Sequence, residues 1–135
     1  MTLTLRILAP DKSVFDGSAD EVILPSTTGQ LGILTGHVSM LTALDSGVLR
    51  LRIGSTWQAI AVSGGFAEVD SNDVTVLVNA AELGRSIDAA AAEKEYQAAQ
   101  QAFASFEGQP PSTEKVKAEQ ALAQARARLQ ASRAG

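Results

Sequence analysis

Up to about residue 87, apolar and polar positions alternate in short runs separated by turn residues. Beyond that point the alternation stops, and alanine, glutamine and charged residues take over. Period-two alternation predicts strands over residues 2–9, 13–24, 38–43, 47–53, 56–63, 66–69 and 74–79. The breaks are Pro10 to Lys12, Pro25 to Gly36, Asp45-Ser46-Gly47, Gly54-Ser55, Gly64-Gly65 and Asp70 to Asp73. Many short strands at close spacing predict an antiparallel β-sandwich or barrel. Gly54-Ser55 and Gly64-Gly65 are expected to form hairpin turns, because both can supply positive φ angles. Trp57 is expected to pack at a strand start.

The rest of the chain follows a helical pattern with one break. Asp88 is a good N-cap for a helix running to about Phe106, with Glu93 and Glu95 in its first half. Gly108 and Pro110-Pro111 stop it, and Ser112 or Thr113 can cap a second helix. Ala92, Tyr96, Ala99, Phe103 and Phe106 form one apolar stripe, and Ala118, Leu122, Ala125 and Leu129 form the other. The stripes hold few large side chains. At about 1.5–3 kcal/mol for each one buried, such a seam does not offset ordering entropy of about 1–2 kcal/mol per residue over the whole tail. The hairpin is expected to lean on the β unit or on a partner. These readings divide the chain into a β domain at 1–87 and a helical domain at 88–135.

Composition removes several classes of function. Cysteine is absent and there is one histidine, so thiol catalysis, disulfides and Cys/His metal clusters are excluded, and no cofactor or metal is expected. No phosphate loop of the Gly-x-x-x-x-Gly-Lys-Ser/Thr type and no set of residues placed for nucleophilic catalysis occurs, so no catalytic residue is assigned. The N-terminus lacks a signal-peptide pattern, and no run approaches the roughly 20 apolar residues of a membrane span. A soluble protein of a reducing compartment is the expectation. The net charge is −4, yet residues 113–135 carry five basic side chains against two acidic ones. That basic segment has no interleaved aromatics, which argues against nucleic acid and for an acidic protein surface.

The stretch Gly29-Gln30-Leu31-Gly32-Ile33-Leu34-Thr35-Gly36-His37-Val38-Ser39-Met40-Leu41-Thr42-Ala43-Leu44, followed by Gly47-Val48-Leu49-Arg50, resembles the epsilon subunit of F-type ATP synthase. Leu8 to Lys12, Phe15-Asp16-Gly17 and Val62 to Val69 match it in the same order. The alanine-rich helices resemble the cyanobacterial or chloroplast branch. The resemblance implies an α+β fold: an N-terminal antiparallel β-sandwich of about ten strands followed by a C-terminal antiparallel two-helix hairpin. It also implies a non-catalytic rotor subunit of the central stalk, with the sandwich on the gamma subunit and the c-ring and the helices reaching the catalytic alpha and beta subunits. Membrane association would then arise only through the complex, on the cytoplasmic or stromal face of an energy-transducing membrane such as the thylakoid.

The resemblance assigns roles to particular residues. Gly29, Gln30, Leu31 and His37 fall in the region that faces the c-ring and gamma, and Gln30 stands where the family often has a glutamate. For His37 the alternative is a local hydrogen bond at a strand start, and for the glycines a loop that needs unusual backbone angles. Lys115, Lys117, Arg126, Arg128 and Arg133 form the basic cluster of a second helix that would inhibit ATP hydrolysis by extending into the catalytic head. Some bacterial members carry an ATP-sensing motif, Ile/Leu-Asp-x-x-Arg-Ala. Here Ile87-Asp88-Ala89-Ala90-Ala91-Ala92 keeps Asp88 but puts Ala91 at the arginine position, so the nucleotide-binding candidates reduce to Asp88 and Arg126. The alternatives to an inhibitor are an ATP-sensing module and a coupling subunit whose helices never move.

Overall fold

The computed structural model describes residues 2–134, so the outermost residue of each predicted domain lies outside the described residues. Eight strands precede two helices: β1 (Leu3–Ala9), β2 (Lys12–Ala19), β3 (Glu21–Ser26), β4 (Gly29–Ile33), β5 (Met40–Leu44), β6 (Gly47–Ile53), β7 (Thr56–Asp70) and β8 (Asp73–Leu83). A 3-10 turn (Gly84–Ser86) leads into α1 (Ala89–Ala104) and then α2 (Thr113–Ala134).

The sandwich is one sheet folded over on itself. Its order is β2-β1-β8-β7-β5-β3-β4, with β6 pairing both β3 and β7. The first half of β7 pairs with β6, from Gly47↔Val62 to Ile53↔Thr56. Its second half pairs with β5, from Met40↔Val69 to Leu44↔Gly65. β8 follows β7 across the same fold, from Ile60↔Leu83 to Asp70↔Asp73. A crease therefore runs through Asp45-Ser46, Ser63-Gly64 and Asn79, and the strands continue on both sides of it.

That crease corrects the sequence reading. Gly64-Gly65 is not a hairpin turn: Gly64 has φ 48° and Gly65 φ 142°, and the two kink a single strand of 15 residues. A Cβ on Gly65 would sit 2.0 Å from the carbonyl oxygen of Leu77, so only glycine lets β7 and β8 bend together there. Because β7 and β8 serve both layers, eight strands stand where about ten were expected. Residues 13–24 split at Asp20 into β2 and β3, and the segment read as a loop from Pro25 to Gly36 contains β4. One pair, β1 with β8, is parallel, which the alternation pattern does not reveal.

The core between the layers is formed by alternate residues, among them Leu3, Leu5, Ile7, Val22, Leu24, Ile33, Leu49, Leu51, Ile60, Val62, Val69, Val74 and Val76, all from the strands. No helical residue belongs to that cluster. One layer contains β1, β5 and the second half of β7; the hairpin instead lies on the outer face of the second layer, which contains β6 and the first half of β7. There Ala59, Ala61, Ile87, Ala92, Ala127, Leu129 and Ala131 form a separate cluster, with Val48 and Tyr96 against it. Asp88 caps α1 as expected, accepting from the amides of Ala90 and Ala91, and Ser112 Oγ accepts from the Lys115 amide at 3.1 Å. α1 ends at Ala104, short of the expected Phe106.

Candidate functional site

The sandwich has two outer faces, and they differ. The outer face of the second layer is covered by α2 through small side chains on both sides, Ala59 and Ala61 below and Ala127 and Ala131 above. The Gly84 turn lies under the end of the helix, where an added Cβ would come within 2.3 Å of the Ala131 carbonyl oxygen and 2.9 Å of that of Ala59. Small residues thus let the helix backbone approach the sheet closely.

The outer face of the first layer is bare. Register places Ala43, Phe66, Leu77 and Leu8 in one row across four strands, because Ala43 pairs with Phe66, Phe66 with Leu77 and Leu77 with Leu8. The next outward row holds Leu41, Glu68, Thr75 and Arg6. Leu41, Phe66 and Leu77 are 69%, 55% and 52% exposed, and Val38 and Leu34 just before β5 are exposed as well. An apolar row rimmed by Arg6, Glu68 and Asp16 has the composition of a protein-docking face.

Sequence reading missed this face. A signal was present: in Val74-Thr75-Val76-Leu77-Val78 and Phe66-Ala67-Glu68-Val69, Leu77 and Phe66 fall on the parity opposite to the core residues. Large apolar residues on both parities mark a strand that is covered on both sides.

The residues singled out from the sequence lie apart from one another. Gly29, Gln30 and Leu31 form the start of β4, paired to Ser26, Pro25 and Leu24 of β3. Gln30 is exposed, Leu31 packs partly on the core, and Gly29 has φ 123°. His37 is half-buried in the connection that follows; its Nδ1–H donates to the Val38 carbonyl at 2.8 Å and its amide to that of Leu34 at 3.2 Å, the local bonding expected of it. Trp57 stands at the start of β7 but is 42% exposed, with the Arg52 guanidinium 5.9 Å from its ring centre, so it is a surface cation–π partner more than a core residue.

The basic residues of α2 divide into two groups. Lys117 and Arg126 are exposed, with no salt bridge among the described residues, and Lys115 Nζ donates only to the Gln109 carbonyl at 2.8 Å. Arg133 pairs with Glu93 at 2.9 Å, and Arg128 pairs with both Glu82 and Glu95. The hydrogen bond to Glu82 outweighs the opposing effect of partial burial and, with the charges of Glu82 and Glu95, raises the Arg128 pKa above the usual arginine value.

An open cleft of about 670 Å³ lies where the crease meets α2, lined by Asp45, Ser46, Ser63, Asn79, Gln124 and Arg126 among others. Asp88 does not line it, and its carboxylate is already engaged as the α1 cap. The two nucleotide-binding candidates are therefore not brought together at this cleft. The isolated chain is expected to bind ATP weakly or not at all in titration calorimetry. Loss of an arginine contact to phosphate costs about 1.5–3 kcal/mol, roughly ten- to a hundredfold in affinity. Micromolar binding would overturn this.

Among the described residues no cluster of metal-ligating side chains occurs, and no helix is long and apolar enough to cross a membrane. Residues 2–84 match the family model for the β-sandwich domain of the ATP synthase delta/epsilon chain, and residues 85–133 match that for its long α-helix domain. The chain is 71% identical over 133 residues to the ATP synthase epsilon chain of Synechococcus sp. strain CC9902, covering 98% of both chains. It is 62% identical over 133 residues to that of Prochlorococcus marinus strain MIT 9313, covering 98% of this chain and 100% of the relative. The fold resembles a chain in the mitochondrial ATP synthase of Euglena gracilis, with a TM-score of 0.80 at 22% identity, covering 97% of this chain and 81% of that one. A chain of the central stalk and c-ring of the Tetrahymena thermophila mitochondrial enzyme matches with a TM-score of 0.62 at 18% identity, covering 97% and 96%.

Proposed function

Since this chain belongs to the epsilon-chain family of ATP synthases, we propose that it couples the rotor to the c-ring through its sandwich and restrains ATP hydrolysis through its hairpin. It is a central-stalk subunit and not the catalytic one. The observation that carries the reading is the contrast between the two outer faces. The hairpin already covers the second layer, while in the apolar row Ala43-Phe66-Leu77-Leu8 the side chains of Phe66 and Leu77 stay more than half exposed among the described residues. A rotor partner fits that row, and we assign it to the gamma subunit. The start of β4, where Gly29 and Gln30 are exposed and Leu31 is half-buried, with the half-buried His37 after it, is assigned to the c-ring side, where Gln30 contributes hydrogen bonds in place of a charge. The subunit would then sit peripherally on the cytoplasmic face of the thylakoid membrane, held there by the complex.

The hairpin's part in inhibition rests on how little holds it. Its contact with the sandwich is built from alanines and a few larger residues, which bury less area than a leucine seam. A helix of 22 residues is about 33 Å long at about 1.5 Å per residue, enough to reach from the stalk into the catalytic head. There the exposed Lys117 and Arg126, with the half-buried Lys115 beside them, would meet an acidic surface of the alpha or beta subunits.

Deleting residues 88–135 tests the domain division and the inhibition together. The core cluster contains no helical residue, so the fragment is expected to keep a folded β circular-dichroism spectrum and to bind gamma. The reconstituted complex is expected to hydrolyse ATP faster than with the full chain. An unfolded fragment would sink the two-domain reading, and an unchanged hydrolysis rate would leave a coupling subunit with static helices.

A further inference from the structure

Arg128 is the side chain on which three elements converge. Its Nε donates to Glu82 Oε1 at 2.8 Å and its Nη2 to Glu82 Oε2 at 3.3 Å, while Nη1 donates to Glu95. Glu82 belongs to the end of β8, Glu95 to α1 and Arg128 to α2. The fork on both carboxylate oxygens is the strong geometry for an arginine. The other ion pair of the hairpin, Arg133 with Glu93, joins α1 to α2 and does not touch the sandwich. Arg128 to Glu82 is therefore the single salt bridge between helices and sandwich among the described residues. The remaining contact is apolar, with alanine methyl groups from Ala59, Ala61, Ala92, Ala127 and Ala131 beside the larger Ile87, Leu129, Val48 and Tyr96.

We propose that Arg128 is the fastener of the hairpin, and that its two internal carboxylates compete with any acidic partner surface for it. This inference rests on the reading of a hairpin that moves. Its consequence is a reversal of sign within the basic cluster. An exposed residue such as Arg126 can serve only the extended form, so neutralising it weakens contact with an acidic partner. Neutralising Arg128 frees the hairpin first and favours extension. Glu82 and Glu95 are 43% and 53% exposed, so solvent screens the pairs and the fastening is moderate and salt-dependent.

The test uses the full chain alone, then the complex. Hydrogen exchange of the amides in α2 and emission of Trp57 report docking, because Ala134 at the end of α2 lines the same groove as Trp57. Arg128→Gln is expected to speed exchange in α2 about fivefold to thirtyfold at low ionic strength, with the core strands unchanged. Glu82→Gln is expected to do nearly the same, and the double substitution no more than either alone. Salt at about 0.5 M should erase most of the difference. Unchanged exchange in Arg128→Gln, or additive effects of the two substitutions, would overturn the fastener. In the complex, Arg128→Gln should deepen suppression of ATP hydrolysis and Arg126→Gln should relieve it. If exchange rises in Arg128→Gln while hydrolysis is indifferent to both, the fastener stands and the inhibitory role of the hairpin fails.

Discussion

Phe66→Asp is expected to weaken binding to the gamma subunit by a hundredfold or more while leaving the sandwich folded. Phe66 lies in the middle of the bare row, paired to Ala43 on one side and Leu77 on the other, and is 55% exposed. Burying a phenylalanine at an interface contributes about 1.5–3 kcal/mol. Placing a carboxylate there adds the cost of desolvating a charge with no partner. In the free protein the same carboxylate points into water, so the thermal midpoint should move little. Leu77→Asp should behave alike. The check is a pull-down or titration against gamma, with Gln30→Ala as a second arm. If Phe66→Asp binds as well as the parent and Gln30→Ala does not, the gamma contact lies around β4 and the apolar row serves something else.

Gly84→Ala should lift the hairpin from the sandwich. The added methyl would lie 2.3 Å from the Ala131 carbonyl oxygen, closer than any Cβ tolerates, and the obstacle is helix backbone that cannot rotate away. Overpacking of this kind costs about 1–3 kcal/mol. Here the cheapest escape is to move α2, because the core cluster does not depend on it. Exchange in α2 should rise about tenfold to a hundredfold, with Trp57 emission shifting in step. A control separates the sites of strain: in the chain lacking residues 88–135 only the 2.9 Å approach to Ala59 remains, so the same substitution should cost less there. Equal costs in the two chains would mean that the turn itself is the strained element and that docking does not depend on Gly84.

Both predictions concern faces that local pattern reading handles poorly. A strand with one core face reads as alternation, and Leu3, Leu5 and Ile7 of β1 were legible for that reason. Ala59-Ile60-Ala61-Val62 carries apolar residues on both parities, because one side meets the core and the other meets α2. Phe66 and Leu77 show the same double parity without an internal cover, and nothing along the chain says which face is free. The glycines posed a similar problem. Gly54, with φ 63°, does sit in the connection from β6 to β7, whereas Gly64-Gly65 bends a strand that continues. A positive φ serves either use.

The amino-acid sequence by itself determined the elements whose causes are local: the strand-rich first part, the Asp88 and Ser112 caps, the break at Gly108 to Pro111, and the basic character of the second helix. It also carried the family, because the ordered matches span nearly the whole chain. Only the tertiary structure decided that the sheet folds along Asp45-Ser46, Ser63-Gly64 and Asn79, which outer face the hairpin covers, and that Arg128 of the basic cluster is engaged with Glu82, 46 residues away. Those outcomes depend on which surfaces meet after collapse. Side-chain periodicity records that a position is buried or charged, but not which distant neighbour buries it or pairs with it.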